Sequence, residues 1–99
     1  MELCKQMQQL RYLLDEKNIE WEDDTEVENN HIWISRTYFT YKNNQYSVIN
    51  GFGTYGGISY VEGKNHGLLE LMCPGVNNGE PLGWLTAEEC IKVIEGEQV

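Results

Sequence analysis

A short segment in the middle of this sequence combines glycines with aromatic and amide side chains. Residues 50–57 read Asn-Gly-Phe-Gly-Thr-Tyr-Gly-Gly and hold four of the ten glycines. Glycines let backbone N–H groups point into a concavity, and aromatic rings offer flat faces on which a nucleobase can stack. The segment therefore predicts a nucleotide-type binding loop, with a wide hairpin whose glycines only satisfy turn geometry as the alternative. The candidate ligand-binding residues are Asn50, Gly51, Phe52, Gly53, Thr54, Tyr55, Gly56 and Gly57, with Arg36 and Trp84 from other segments.

The order of glycines in residues 51–56 matches the dinucleotide-binding pattern G-x-G-x-x-G. In that family a helix follows the glycines and its N-terminus holds the pyrophosphate. Here residues 57–61 read Gly-Ile-Ser-Tyr-Val and predict a strand, which excludes the dinucleotide fold. A strand, a glycine loop and a second strand also form the phosphate-covering loop of kinases, but the other kinase motifs are missing from the 99 residues.

Residues 77–84, Asn-Asn-Gly-Glu-Pro-Leu-Gly-Trp, are the second candidate part of this site. Asn side chains both donate and accept hydrogen bonds, as reading a base edge requires. One interpretation is a polar lid that closes over the glycine loop and carries Trp84. The alternative is a solvated turn, with Trp84 packed beneath the last helix.

Residues 20–28 contain six acids and no base. One interpretation is a charged loop or edge-strand rim that prevents sheet-to-sheet aggregation. The other is a row of carboxylates that imitates phosphates in front of a nucleic-acid-binding partner. The carboxylates of that row are Glu22, Asp23, Asp24, Glu26 and Glu28. A calcium loop is not predicted, because its spacing of acids and its glycine turn are missing.

The net charge of −9, from 16 acids and seven bases, favours a basic partner. Binding to nucleic acid or to an anionic membrane is not expected, since both need clustered Lys and Arg. His31 and His66 are the only imidazoles and have no ligand spacing, so no metal and no cofactor is predicted. The chain lacks an apolar leader and a membrane-length apolar run, which predicts a cytoplasmic protein.

The three cysteines have no C-x-x-C spacing and are expected to be reduced thiols, mostly buried. A Cys73 nucleophile with His66 as its base is conceivable, but the sequence marks no orienting acid and no oxyanion turn. We therefore predict a protein without enzymatic activity.

The hydrophobic pattern predicts one α+β domain over residues 1–99, an antiparallel sheet of about four strands flanked by an N-terminal and a C-terminal helix. Apolar residues recur at helical spacing in residues 2–17, and Thr86 and Glu89 form a capping box for the last helix. A turn at Asn43–Asn44 would place Tyr41 opposite Tyr46. Both sheet faces are then partly apolar, which predicts a homo-oligomer. The predicted strands are a short one at residues 19–22, then residues 31–42, 46–50 and 58–62, with residues 68–73 as a strand or helical turn.

Three segments together resemble small uncharacterised proteins of phages and prophages of Gram-positive bacteria. They are residues 46–57, residues 67–72 (Gly-Leu-Leu-Glu-Leu-Met) and residues 79–89, and the similarity covers roughly residues 19–95. The resemblance implies a protein made during infection that counters bacterial immunity. Two activities fit. The first is sequestration of a cyclic nucleotide or cyclic ADP-ribose type signal at the glycine loop, and the second is inhibition of a defence nuclease by the acidic segment.

Overall fold

The computed structural model describes residues 2–58 and 64–97, and its fold is α+β. The helices are α1 (Lys5–Glu16) and α2 (Ala87–Ile94). The strands are β1 (Trp21–Asp23), β2 (Glu26–Glu28), β3 (His31–Tyr41), β4 (Asn44–Gly51), β5 (Leu69–Met72) and β6 (Leu82–Leu85), and a 3-10 turn spans Asn77–Gly79. The strands form one six-stranded antiparallel sheet in the order β1-β3-β4-β5-β6, with β2 also paired to β3.

The fold class and both flanking helices are confirmed, whereas the predicted number of strands was too low. Two strands were not among those predicted: β2 lies in the acidic segment, for which a charged loop or an edge-strand rim was predicted, and β6 overlaps residues 77–84, for which a lid or a solvated turn was predicted. Pairing with a neighbouring strand overrides weak local propensity in both. The strand predicted at residues 58–62 lies almost entirely outside the described residues.

Both helices form from the local signals predicted for them. The stripe of Met7, Leu10 and Leu14 on α1 is fully buried, and Asn18 just beyond the helix has a φ of 58°. Asn tolerates this left-handed conformation and so stops the helix. At α2 the capping box is present: the Thr86 hydroxyl accepts from the N–H of Glu89, whose carboxylate accepts from the N–H of Thr86.

The turn between β3 and β4 lies one residue earlier than predicted. Lys42 and Asn43 have φ values of 50° and 68°, so Tyr41 pairs with Asn44 and Phe39 pairs with Tyr46. The predicted register was therefore off by two residues. Because side chains alternate with a period of two, this shift leaves every side chain on its predicted face. The stacked rings of Phe39 and Tyr46, 5.2 Å apart, hold the observed register.

Both helices pack on the sheet face that carries Phe39, Tyr46 and Val48, and form one apolar cluster with it. The thiol of Cys90 lies in this cluster, and burial raises its pKa to about 12, with the negative charge of Glu89 adding to the effect. Such a thiol is not nucleophilic at neutral pH. In the described ranges, no helix has the length and apolar character needed to span a bilayer.

Candidate functional sites

The backbone of the glycine loop is hydrogen-bonded within the protein. The N–H of Ile58 donates to the carbonyl of Gly51 at 2.7 Å and closes the loop, and the N–H of Tyr55 donates to the Glu70 carboxylate at 2.9 Å. Six N–H groups of the loop donate to internal acceptors, namely those of Gly51, Phe52, Gly53, Thr54, Tyr55 and Gly57. An anion-binding nest needs such groups to be directed at a ligand, and here these donors already have acceptors.

Close packing accounts for two of the loop glycines. A Cβ on Gly57 would lie 2.0 Å from the Thr54 hydroxyl and 2.3 Å from the Gly51 carbonyl oxygen. A Cβ on Gly51 would lie 2.5 Å from the carbonyl oxygen of Trp33. Real Cβ atoms do not approach other atoms this closely, so a larger residue at either position requires the backbone to move. The hairpin-type alternative described above therefore explains these glycines without a ligand.

Asn50 and Phe52 both contact neighbouring parts of the sheet. Asn50 is only 4% exposed, and its side-chain amide exchanges two hydrogen bonds with that of Asn65, at 3.1 and 3.0 Å. The Phe52 ring stacks on Trp33 with its centroid 4.3 Å away. These contacts connect the loop to β3 and to the segment before β5. Asn50 is therefore buried and Phe52 is half-buried, so neither side chain is fully open to a ligand.

Tyr55 and Trp84 form the part of the predicted ligand site that the structure brings together at the surface. Their side chains are 56% and 55% exposed, and the Trp84 N–H donates to the Tyr55 carbonyl at 3.1 Å. The ring of His66 lies edge-on to Trp84, with the centroids 5.2 Å apart. We call Tyr55, His66 and Trp84 the aromatic edge. Trp84 is not packed beneath α2, so this part of the alternative was wrong, whereas Asn77 and Asn78 of the predicted solvated turn are exposed.

A β-bulge in β6 directs Trp84 outward. Leu69 pairs with Leu85 and Leu71 pairs with Leu82, which leaves two residues of β6 opposite the single residue Glu70. Trp84 has a φ of 59°, a left-handed conformation that costs a bulky residue about 1–2 kcal/mol. Bulges and such strained residues are frequent at functional sites, where they aim a side chain.

The electrostatics of the glycine loop do not favour an anion. Glu70, which is 7% exposed, holds its carboxylate against the loop backbone. Arg36, the cation predicted for this site, instead reaches the carboxylates of Asp24 and Glu26, 3.5 and 3.6 Å away. In the described ranges, no group of three or more metal-binding side chains has a geometry suited to a metal ion.

The acidic segment forms the opposite edge of the sheet, where β1 and β2 both pair with β3. A tight turn at Asn29 and Asn30, with φ values of 51° and 64°, connects β2 to β3. The edge-strand interpretation of this segment matches the observed pairing. All five predicted carboxylates, Glu22, Asp23, Asp24, Glu26 and Glu28, are exposed, and we call them, with Glu20, the acidic edge.

Two arginines hold part of the acidic edge, one from each face of the sheet. Arg11 on α1 donates to the Asp23 carboxylate at 2.6 Å, to the Thr37 hydroxyl at 2.9 Å and to the Arg36 carbonyl at 3.0 Å. A hydrogen bond from Thr25 and then the one from Arg11 lower the pKa of Asp23. Sequence inspection missed Arg11, because nothing in its helix reveals that it lies beneath β1.

A comparison with protein-family models gave no match, and comparisons with curated proteins and with solved structures gave none either.

Proposed function

We propose that this protein is a non-enzymatic inhibitor that uses its acidic edge to occupy the nucleic-acid-binding surface of a basic protein. The observation that carries the proposal is the arrangement of exposed carboxylates along β1 and β2, two short consecutive strands at one edge of the sheet. A pairing strand fixes their spacing, which a flexible acidic loop would not do.

The charge density of the acidic edge approaches that of a nucleic-acid strand. Five acids fall within residues 22–28, and a strand advances about 3.3 Å per residue. The edge thus presents roughly one negative charge every 4–5 Å, against one phosphate per about 3.4 Å in a DNA strand. Arg11 and Arg36 offset part of this charge. Among the described residues, Glu20, Glu22 and Glu28 form no ion pair and so face a partner with their full charge.

The resemblance to phage proteins gives the proposal a setting. In that setting the basic partner is a defence nuclease in the cytoplasm of the infected cell. A homo-oligomer formed through the sheet face that does not pack on the helices stays a prediction, and it is compatible with this mode of inhibition.

Phage plating on defended cells tests the proposal, because a protein that inhibits the defence nuclease restores plating. The plating efficiency is measured on cells that carry a nuclease-based defence and express either the wild-type protein or E22K/E28K. Both glutamates are exposed and lack internal ion pairs, so the fold is retained. E80K/E97K makes the same change of charge at exposed sites off the acidic edge. We expect phage to plate at least about tenfold less efficiently on cells that express the edge variant, because two positive charges are then placed against a basic surface. Cells that express the control variant should support plating as well as cells with the wild-type protein. Equal behaviour of the two variants contradicts the proposal.

A second candidate is sequestration of a cyclic nucleotide type signal at the aromatic edge. It is supported by the exposed, strained Trp84 next to Tyr55, since two aromatic rings can stack on a nucleobase. Thermal unfolding with a panel of cyclic nucleotides and ADP-ribose derivatives tests it. A ligand at 100 times its dissociation constant adds about 2.7 kcal/mol of stability. The wild-type protein should show the shift and Y55A/W84A should lose it, whereas a flat panel rejects this candidate.

A further inference from the structure

A cleft of about 840 Å³ opens beside the acidic edge, next to Trp21 at the start of β1 and Tyr41 at the end of β3. Trp21, Glu22, Tyr38 and Tyr41 are among the residues that line it. Its volume is in the range of small-ligand sites. The cleft shares Glu22 with the acidic edge, so a partner lying along that edge also meets the cleft.

The acidic edge already shows how it holds an arginine. The Arg11 guanidinium lies over the Trp21 ring, 4.5 Å from its centroid, and contacts the Asp23 carboxylate at 2.6 Å. Trp21 and Asp23 are two residues apart on β1, so both point to the helix-covered face of the sheet. An aromatic ring and a carboxylate side by side thus bind a guanidinium by stacking and by ion pairing.

The other face of the same strands repeats this pair of groups. Glu22 pairs directly with Tyr38 across β1 and β3, which places the carboxylate and the ring side by side. Tyr38 is 39% exposed, and Glu22 forms no ion pair with any residue in the described ranges 2–58 and 64–97. The arrangement that holds Arg11 on one face therefore has a counterpart on the other face that no arginine of the described chain fills.

We propose that Glu22 and Tyr38 receive an arginine side chain of the basic partner. This inference rests on the proposed function and specifies how the partner is anchored. Glu20 adds a second carboxylate to the cleft. The two lysines of the cleft lie elsewhere in it: Lys17 pairs with Glu95, and Lys42 lies over the Tyr41 ring at 5.2 Å.

The planar guanidinium distinguishes this anchor from simple charge attraction. A guanidinium stacks on an aromatic face while it donates two hydrogen bonds to a carboxylate, and a lysine ammonium does not combine these contacts. The site is therefore expected to select arginine over lysine, whereas the rest of the acidic edge attracts both.

Titration calorimetry with nona-arginine and nona-lysine peptides, at one fixed ionic strength, tests the anchor. The variant Y38T removes the ring but keeps a β-branched residue in the strand, and Y38F keeps the ring. Y12A removes a tyrosine from α1 that is more exposed than Tyr38, 56% against 39%, and lies away from the cleft. We expect Y38T to reduce the preference for nona-arginine over nona-lysine by about fivefold, as a cation–π contact of about 1 kcal/mol predicts. Y38F and Y12A should keep the wild-type preference.

The outcomes separate the anchor from the proposed function. If Y38T lowers the affinity for both peptides by the same factor, or changes neither affinity, the proposed arginine anchor is wrong. If E22K/E28K binds both peptides as tightly as the wild type, the acidic edge does not bind basic partners and the proposed function fails. If Y38T does not fold, the Tyr38 ring resonances of the wild-type protein decide: a shift with nona-arginine and none with nona-lysine supports the anchor, and equal shifts overturn it.

Discussion

The acidic edge and the aromatic edge lie at opposite edges of one sheet, and different interactions stabilise them. At the acidic edge, Arg11 and Arg36 reach exposed carboxylates through their side chains. At the aromatic edge, the backbone of Tyr55 is fixed by a buried carboxylate and by the backbone of Trp84. Ion pairs near solvent are weak and screened by salt. We infer that the carboxylate side chains of the acidic edge can reorient toward a partner while strand pairing fixes their backbone, whereas at the aromatic edge the backbone itself is held by buried contacts.

The close packing of the glycine loop predicts the largest change in the free energy of unfolding for a substitution at Gly57. G57A places a methyl group 2.0 Å from the Thr54 hydroxyl and 2.3 Å from a backbone carbonyl oxygen, so we expect it to lower the free energy of unfolding by about 3 kcal/mol. Urea unfolding measures this change. G75A is the matched control, because its nearest neighbour is 3.4 Å away, and it should stay within about 0.5 kcal/mol of the wild type. Similar free energies of unfolding for the two variants would show that the loop backbone can shift at little energetic cost.

The buried carboxylate of Glu70 should give the next largest effect. E70L leaves the Tyr55 N–H without its acceptor, and we expect a loss of about 2 kcal/mol. E70Q keeps an oxygen at the same place and should lose less than half as much. Chemical unfolding compares the two variants. An E70Q loss as large as that of E70L would mean that the charge, and not the hydrogen bond, stabilises the loop.

A smaller, pH-dependent effect is expected at the acidic edge. The pKa of Asp23 is lowered in the folded state, so the folded protein binds the proton less readily than the unfolded chain. The stabilisation by Asp23 is thus present above the unfolded pKa of about 3.9 and is lost as the pH falls through the lower folded pKa.

Because Asp23 is exposed, we expect the effect to stay below about 1 kcal/mol. Thermal unfolding of D23N from pH 6 to pH 2 should show a shallower loss of stability than that of the wild type. Parallel pH profiles of the two proteins would exclude a role of Asp23 in acid unfolding.

The smallest effect on stability is expected at Trp84. W84G relieves a left-handed backbone strain of about 1 kcal/mol and removes the ring contact with His66. These opposing changes should leave the free energy of unfolding within about 0.5 kcal/mol of the wild type. A loss above that value would assign the Trp84 ring a structural role, and it would weaken the case for an aromatic binding site.

The sequence by itself determined the elements that depend on near neighbours. The apolar spacing around Leu10 established α1, and the capping box at Thr86 established the start of α2. The same holds for the face of each side chain in β3 and β4, since a period of two survives an error of two residues in register. The net charge and the acidic row were also evident in the sequence, because they depend only on the residue types and their order.

Only the tertiary structure decided which groups of the candidate sites are free to contact a ligand or a partner and which already have partners within the protein. The partners of Tyr55, namely Glu70 and Trp84, lie 15 and 29 positions away in the chain and reach it through strand order and a bulge. Arg11 reaches Asp23 across the helix–sheet interface in the same way. Hydrogen bonds between distant residues depend on how strands pair, and a local pattern does not encode that pairing. The sequence therefore predicted that the glycine loop offers N–H groups to a ligand, while folding supplies six of these groups with internal acceptors.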